Sequence, residues 1–136
     1  MVSYVLDASA LIRYVDDEAG ADRVGQILKA CAEWRARLII SAVQWGEVAG
    51  NLCKSFGAAK ERQILTDLLP SEAEIVPATG ERAVHAAEIR LDHQISYADA
   101  FAVELALDSP QHVLVTADYG FKPVEGLIKI EFLPAK

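Results

Sequence analysis

The stretch Leu38-Ile39-Ile40-Ser41-Ala42-Val43-Gln44 runs from a short apolar segment directly into a longer segment of helical periodicity. Residues 38–40 are apolar throughout, as expected for a strand that is covered on both faces. Ser41 followed by Gln44 has the spacing of a helix capping box. A buried strand that leads at once into a capped helix is the repeating unit of α/β proteins, so this stretch predicts an α/β fold.

The same alternation extends along the rest of the chain. Short apolar runs, most of them β-branched, predict strands at about 4–6, 38–40, 75–76, 113–115 and 127–130. Helical periodicity predicts helices at about 9–15, 21–35, 42–57, 59–69, 80–92 and 97–107. Strands that alternate with helices predict a mainly parallel five-stranded sheet between two helical layers, a three-layer α/β/α sandwich.

Length and composition indicate one folded domain that spans residues 1–136. The chain is 52% hydrophobic and 24% charged, which is typical of a globular protein. No apolar run approaches the roughly 20 residues of a membrane helix, and the first residues lack the basic region of a signal peptide, so we expect a cytoplasmic protein. Cys31 and Cys53 both lie in apolar helical patterns, which predicts buried, reduced thiols.

Two aspartates follow strands of the predicted sheet. Asp7 closes the first strand, and Asp118 lies just beyond the apolar run that ends at Thr116. Ligands of open parallel sheets bind outside the carboxyl ends of the strands, near the point where the strand order reverses. We therefore expect both carboxylates at one edge of the sheet.

Two further acids lie in segments that are otherwise largely uncharged. Asp99 lies in the first turn of an almost entirely apolar helix, and Glu47 is the only acid between Leu38 and Leu52. Four carboxylates without a nearby Lys or Arg repel each other unless cations bind between them. Mg²⁺ and Mn²⁺ prefer such oxygen ligands, and a pair of these ions is a known device for phosphodiester cleavage. Bound cations would also offset part of the net charge of −7, which otherwise argues mildly against a polyanionic partner.

Taken together, these segments resemble a PIN domain, and more narrowly the VapC-type toxins of toxin–antitoxin pairs. Four motifs in this order carry the resemblance: Val5-Leu6-Asp7-Ala8-Ser9, Ser41-Ala42-Val43-Gln44-Trp45-Gly46-Glu47-Val48, Ile95-Ser96-Tyr97-Ala98-Asp99-Ala100-Phe101-Ala102 and Val115-Thr116-Ala117-Asp118-Tyr119-Gly120-Phe121. The resemblance implies an α/β/α sandwich with a five-stranded parallel sheet, Mg²⁺- or Mn²⁺-dependent endoribonuclease activity, and inhibition by a cognate antitoxin. It also suggests a homodimer.

Carried over motif by motif, the resemblance assigns catalysis and metal binding to Asp7, Glu47, Asp99 and Asp118. Ser9 and Thr116 match the family's hydroxyl positions beside these acids, where they would orient carboxylates or a water molecule.

Each acid also has a simpler interpretation when it is considered alone. Asp7 has the position of a helix N-cap, and Asp99 could be the acid of a capping box that begins at Ser96. Glu47 belongs to a polar stripe that could simply face solvent, and Asp118 could form a turn.

The sequence leaves other functional classes open. A PIN-fold nuclease of RNA processing, outside any toxin pair, fits the same motifs, as does a catalytically silent interaction module. The silent version is expected to lack one or more of the acids, and this chain has all four. Phosphotransferases with an aspartyl nucleophile fit less well, because those of the haloacid dehalogenase type have a second Asp where this chain has Ser9. Which RNA would be cut is not encoded in these motifs, because such specificity lies in loops and surface shape.

Overall fold

A five-stranded sheet is the centre of the computed structural model, which describes residues 1–136. The strands are β1 (Ser3–Leu6), β2 (Arg37–Ser41), β3 (Glu74–Val76), β4 (His112–Thr116) and β5 (Lys129–Phe132). They lie in the order β3-β2-β1-β4-β5, and every neighbouring pair is parallel. This confirms the predicted parallel sheet.

Six α-helices make the connections between the strands. They are α1 (Ala8–Val15), α2 (Ala21–Ala32), α3 (Ala42–Phe56), α4 (Ala58–Leu68), α5 (Gly80–His93) and α6 (Tyr97–Ala106), followed by a 3₁₀ helix at Tyr119–Val124. The order of elements places two helices between successive strands up to β4, and the 3₁₀ helix between β4 and β5. Parallel strands require such crossovers, which explains why the chain alternates as it does.

Helices cover both faces of the sheet, as the predicted sandwich requires. Successive residues of a strand point to opposite faces. One hydrophobic core contains residues of α1, α2, α3 and α4 together with the strand residues Leu6, Leu38, Ile40 and Val115. The other contains residues of α5, α6 and the 3₁₀ helix together with Val5, Ile39 and Leu114.

The strand order reverses between β1 and β4. The chain moves outward from β1 to β2 and β3, and then returns to the other side of β1 to form β4. Leu6 is paired with Val115 at the carboxyl ends of the two strands, so Asp7 and the segment that leads to Asp118 leave the sheet side by side. This is the position at which open parallel sheets bind ligands.

The central helix α6 is buried along almost its whole length, as its apolar sequence predicted. Residues 100–106 are all buried, including Glu104. The Glu104 carboxylate forms an ion pair with Arg82 of α5, which also contacts Asp108 at 2.9 Å. This pairing compensates the cost of placing a charge in the core and joins the two helices.

Three details differ from the sequence-based predictions. Cys53 is exposed, so the prediction of two buried thiols was wrong for this residue and right for Cys31. Helix α2 ends three residues early because Trp34 adopts a left-handed backbone with φ of 60°. Strand β5 begins two residues late, since Leu127 and Ile128 form turn hydrogen bonds to Val124.

No helix of the structure is both long enough and apolar enough to cross a lipid bilayer.

Candidate active site

Asp7 is the most deeply buried acid at this edge of the sheet, with only 2% of its surface exposed. It is the N-cap of α1, and its carboxylate accepts a hydrogen bond from the backbone N–H of Ala10 at 3.0 Å. The Ser9 hydroxyl donates to the same carboxylate at 2.8 Å, and the Thr116 hydroxyl donates at 2.7 Å. Asp7 therefore serves as a helix cap, and both hydroxyl residues proposed from the motifs contact it.

The same two hydroxyls connect Asp7 to the segment that follows β4. The backbone N–H of Ala117 donates to Ser9 Oγ at 2.9 Å, and the backbone N–H of Asp118 donates to Thr116 Oγ1 at 2.9 Å. The Asp118 carboxylate then accepts the N–H of Gly120 at 2.8 Å, which makes Asp118 the N-cap of the 3₁₀ helix. Ser9 and Thr116 thus fix the relative position of the two strand-terminal aspartates.

Asp99 and Glu47 approach this edge from the two helical layers. Asp99 is half-buried in the first turn of α6, whose N-cap Ser96 accepts the backbone N–H of Asp99 at 3.1 Å. Glu47 lies in the second turn of α3 and is exposed. The topology explains both positions, because α3 follows β2 directly and α6 leads into β4, and both of these strands are neighbours of β1.

The four acids lie close enough for their charges to interact. Burial, with a small contribution from the charge of Asp99, raises the pKa of Asp7 to about 7 against the lowering effect of its hydrogen bonds. Burial also raises the pKa of Asp99, with an added contribution from Asp118. The pKa of Glu47 is raised by burial and then by Asp99 and Asp118. The structure therefore brings all four acids into one electrostatic cluster.

Gln44 is a residue of this site that the sequence analysis did not identify. It is only 1% exposed, and its side chain contacts the first turns of both α1 and α6. Gln44 also offsets a small part of the rise in the pKa of Asp99, because it favours the charged form of that carboxylate. The sequence signal was ambiguous, because Ser41 and Gln44 have the spacing of a capping box. In the structure Ser41 caps α3 through Val43, and Gln44 contacts other elements.

The chemistry of the four side chains fits a hard divalent cation. All of their ligand atoms are carboxylate oxygens, and none of the four acids forms a salt bridge with Lys, Arg or His. A bound cation would reduce the repulsion among the carboxylates and would offset the cost of burying the charged form of Asp7. The side chains are nevertheless too far apart in this structure for three of them to surround one ion. Metal binding would therefore require side-chain movements, and Glu47 and Asp118 are the exposed members of the set.

The three histidines lie outside this cluster. His112 is buried at the start of β4, where its Nδ1 lies 2.8 Å from the backbone oxygen of Leu105. His85 and His93 belong to α5, and neither hydrogen bonds to any of the four acids.

Comparisons with known proteins agree with the fold and with the motifs. A family model described as PIN domain matches residues 4–127. No curated protein sequence matches the chain significantly.

Several solved structures share the fold over nearly their whole length. One chain of VapBC2 from Rickettsia felis, solved with a DNA fragment from the promoter, has a TM-score of 0.74 and 18% identity, over 97% of this chain and 99% of that one. A chain of a toxin–antitoxin complex from Klebsiella pneumoniae has a TM-score of 0.69 and 20% identity, over 98% of this chain and 99% of that one. VapC20 from Mycobacterium tuberculosis has a TM-score of 0.67 and 16% identity, over 96% of this chain and 99% of that one. It is described as a toxin that cleaves the sarcin–ricin loop.

The raised pKa of Asp7 predicts a pH dependence of stability in metal-free protein. The folded state keeps the Asp7 proton up to a pH of about 7, whereas the unfolded chain loses it near 3.8. The stabilisation by the neutral form is therefore complete below pH 3.8 and is lost as the pH rises through 7. One pKa unit corresponds to 1.36 kcal/mol. The free energy of unfolding of the Asp7→Asn protein should therefore rise, relative to that of the unsubstituted protein, by up to about 4 kcal/mol between pH 4 and 8.

This gain is measured by urea unfolding in EDTA at several pH values. Asp92→Asn, at an exposed position of α5, is the control and should show no such trend. A constant difference between Asp7→Asn and the unsubstituted protein across this range would contradict the buried, proton-holding state of Asp7.

Proposed function

The chain belongs to the PIN domain family, and on this basis we propose that it is a divalent-metal-dependent endoribonuclease whose site is formed by Asp7, Glu47, Asp99 and Asp118. The observation that supports this most strongly is the buried carboxylate of Asp7 at the reversal point of the sheet, within a cluster of acids that has no basic partner. Such an arrangement costs free energy unless a cation completes it.

In this proposal each acid has a distinct task. The Asp7 carboxylate, oriented by Ser9 and Thr116, is the fixed ligand, and Asp99 is the second ligand on the opposite helical layer. Glu47 and Asp118 are the exposed ligands, which complete the site from the side that RNA approaches. Bound Mg²⁺ or Mn²⁺ would supply the activation of water and the neutralisation of the leaving oxygen in phosphodiester hydrolysis.

We further propose that the protein is the toxin of a toxin–antitoxin pair, active as one domain of residues 1–136 in the cytoplasm. The proposal is supported by structural similarity over nearly the full length to chains from toxin–antitoxin complexes. A PIN nuclease of RNA processing is the main alternative. An interaction module without activity is disfavoured, because all four acids are present and electrostatically coupled.

An apolar groove offers a place for the antitoxin. It is an open depression of about 640 Å³ between α1 and the α3–α4 pair, with Asp17, Lys60, Gln63 and Asp67 as its polar lining. Its apolar lining consists of Tyr14, Val15, Phe56, Ile64 and Leu68. An apolar helix of an antitoxin would fill such a groove and could extend a basic side chain toward the acids. An Arg in that place would pair with carboxylates through two hydrogen bonds and replace the cations.

The outer face of α5 is the surface that we propose for homodimer formation. Val84 and Leu91, seven residues apart on this helix, are 58% and 79% exposed, and Ala87 between them is exposed as well. Residues at this spacing lie on one face of a helix. An exposed apolar stripe of this kind is typical of a protein interface.

RNA cleavage by the purified protein tests the proposed activity. We expect cleavage in Mg²⁺ or Mn²⁺ and none in EDTA, because the proposed mechanism assigns the activation of water and the neutralisation of the leaving oxygen to the bound ions. Asp7→Ala and Asp99→Asn should lower the rate by more than about 100-fold, since the loss of an outer partner of a metal ligand alone costs 10–100-fold. Asp92→Asn is the control with unchanged cleavage. Activity that persists in EDTA, or in Asp7→Ala, would rule out the proposed mechanism.

Growth of cells that produce the protein tests the toxin role. Production without a partner should arrest growth if the nuclease acts on cellular RNA, and Asp7→Ala should relieve the arrest because the metal site is lost. Immunoblots must show equal amounts of the two proteins. Coproduction of the product of the adjacent gene should restore growth, whereas arrest by Asp7→Ala at equal abundance would exclude nuclease activity as its cause.

The oligomeric state tests the proposed homodimer. Light scattering after size-exclusion chromatography should give twice the mass of one 14.8 kDa chain. Leu91→Glu should shift the mass to that of one chain, because it places a charge at the most exposed position of the apolar stripe. Leu107→Glu, which changes another exposed leucine, at the C-cap of α6, is the control. A Leu91→Glu protein that remains dimeric would place the interface elsewhere.

A further inference from the structure

The side chain of Gln44 connects two helices that each begin beside an acid of the site. Its Oε1 accepts a hydrogen bond from the backbone N–H of Ala8, the first residue of α1, at 2.7 Å. Its Nε2 donates to the backbone oxygen of Ala98, in the first turn of α6, at 2.7 Å. Ala8 follows Asp7, and Ala98 precedes Asp99, so one amide joins the backbones next to both acids.

The direction of this amide is determined by its partners. A backbone N–H can only donate and a backbone oxygen can only accept, so the oxygen of Gln44 must face Ala8 and its nitrogen must face Ala98. The N–H of Ala8 belongs to the first turn of α1 and has no partner within its own helix. Removing Gln44 would leave this buried donor unsatisfied, which is costly, so the contact is strongly favoured.

Gln44 also lies one turn before Glu47 on α3. Residues three apart on a helix share a face, so the side chain that bridges α1 and α6 extends from the same side of α3 as Glu47. The amide therefore lies where three helices meet, and each of the three carries or directly follows one acid of the cluster. The fourth acid, Asp118, is connected to Asp7 separately through Ser9 and Thr116.

We propose that Gln44 is a positioning residue that fixes the backbones carrying Asp7 and Asp99 relative to α3, so that their carboxylates and that of Glu47 can close on a divalent cation. This inference rests on the proposed metal site. Gln44 does not itself contact the ion or the RNA. It sets the distance between the first turns of α1 and α6, and thereby the distance between the carboxylates that those turns carry.

Gln44→Met is the informative substitution, because methionine has nearly the same length and volume but forms neither hydrogen bond. Methionine leaves the Ala8 N–H without its partner, which lowers stability, but it fills nearly the same volume, so the fold should persist well below the unfolding temperature. Ile27→Val, a conservative change at a buried position of α2, is the matched control, since it weakens packing without contact with the amide.

The test is a calorimetric titration of each protein with Mn²⁺ well below its unfolding temperature. Gln44→Met should raise the dissociation constant for Mn²⁺ by about 10–100-fold, as expected for a residue that orients metal ligands. Ile27→Val should bind Mn²⁺ as the unsubstituted protein does, because loss of stability alone does not change the site. Equal Mn²⁺ affinity in Gln44→Met and the unsubstituted protein would overturn the inference.

Amide hydrogen exchange of the unsubstituted protein gives a second test that does not depend on any variant. The Ala8 amide should be protected by its bond to Gln44, although the first amides of a helix ordinarily exchange fast. Fast exchange at Ala8 would show that the contact does not persist in solution, and would also overturn the inference. Absence of Mn²⁺ binding by the unsubstituted protein, with Ala8 protected, would instead contradict the proposed function and with it the positioning role.

Discussion

The burial of the Asp7 carboxylate is the constraint on which the rest of the site depends. A carboxylate removed from water must be neutral, hydrogen bonded or paired with a cation. In this structure it receives hydrogen bonds from two hydroxyls and one backbone N–H, yet these do not outweigh burial, and its pKa remains raised to about 7. No basic side chain pairs with it, so a cation bound at this site would stabilise its charged form.

The topology of the sheet explains why the other acids lie beside Asp7. Because the strand order reverses between β1 and β4, the chain leaves the sheet at two adjacent points and supplies Asp7 and Asp118 there. Helices α3 and α6 belong to opposite layers, and each brings one more acid to the same edge. Burial at this edge raises the pKa of Asp7, Asp99 and Glu47, and repulsion among the acids adds a smaller contribution in the same direction.

Much of this arrangement could be predicted from the sequence, because periodicity and strand ends determine it. The parallel sheet, the positions of Asp7 and Asp118 and the hydroxyls of Ser9 and Thr116 all follow from local patterns and from motif order. Contacts between distant elements could not be predicted in the same way. Gln44 has the spacing of a capping residue, and only the packing of α1 and α6 against α3 shows that its amide is used elsewhere. The exposure of Cys53 likewise depends on which side of α3 is covered, which periodicity alone did not determine.

The most direct test of the central claim, that the four acids form one divalent metal site, is anomalous diffraction from crystals grown or soaked with Mn²⁺. The account predicts an anomalous peak at the carboxyl edge of β1 and β4, within bonding distance of oxygens from Asp7 and Asp99, with Glu47 and Asp118 drawn toward it. The peak should be lost in crystals of the Asp7→Ala protein. An empty acid cluster in crystals that bind Mn²⁺ elsewhere on the protein would contradict the claim.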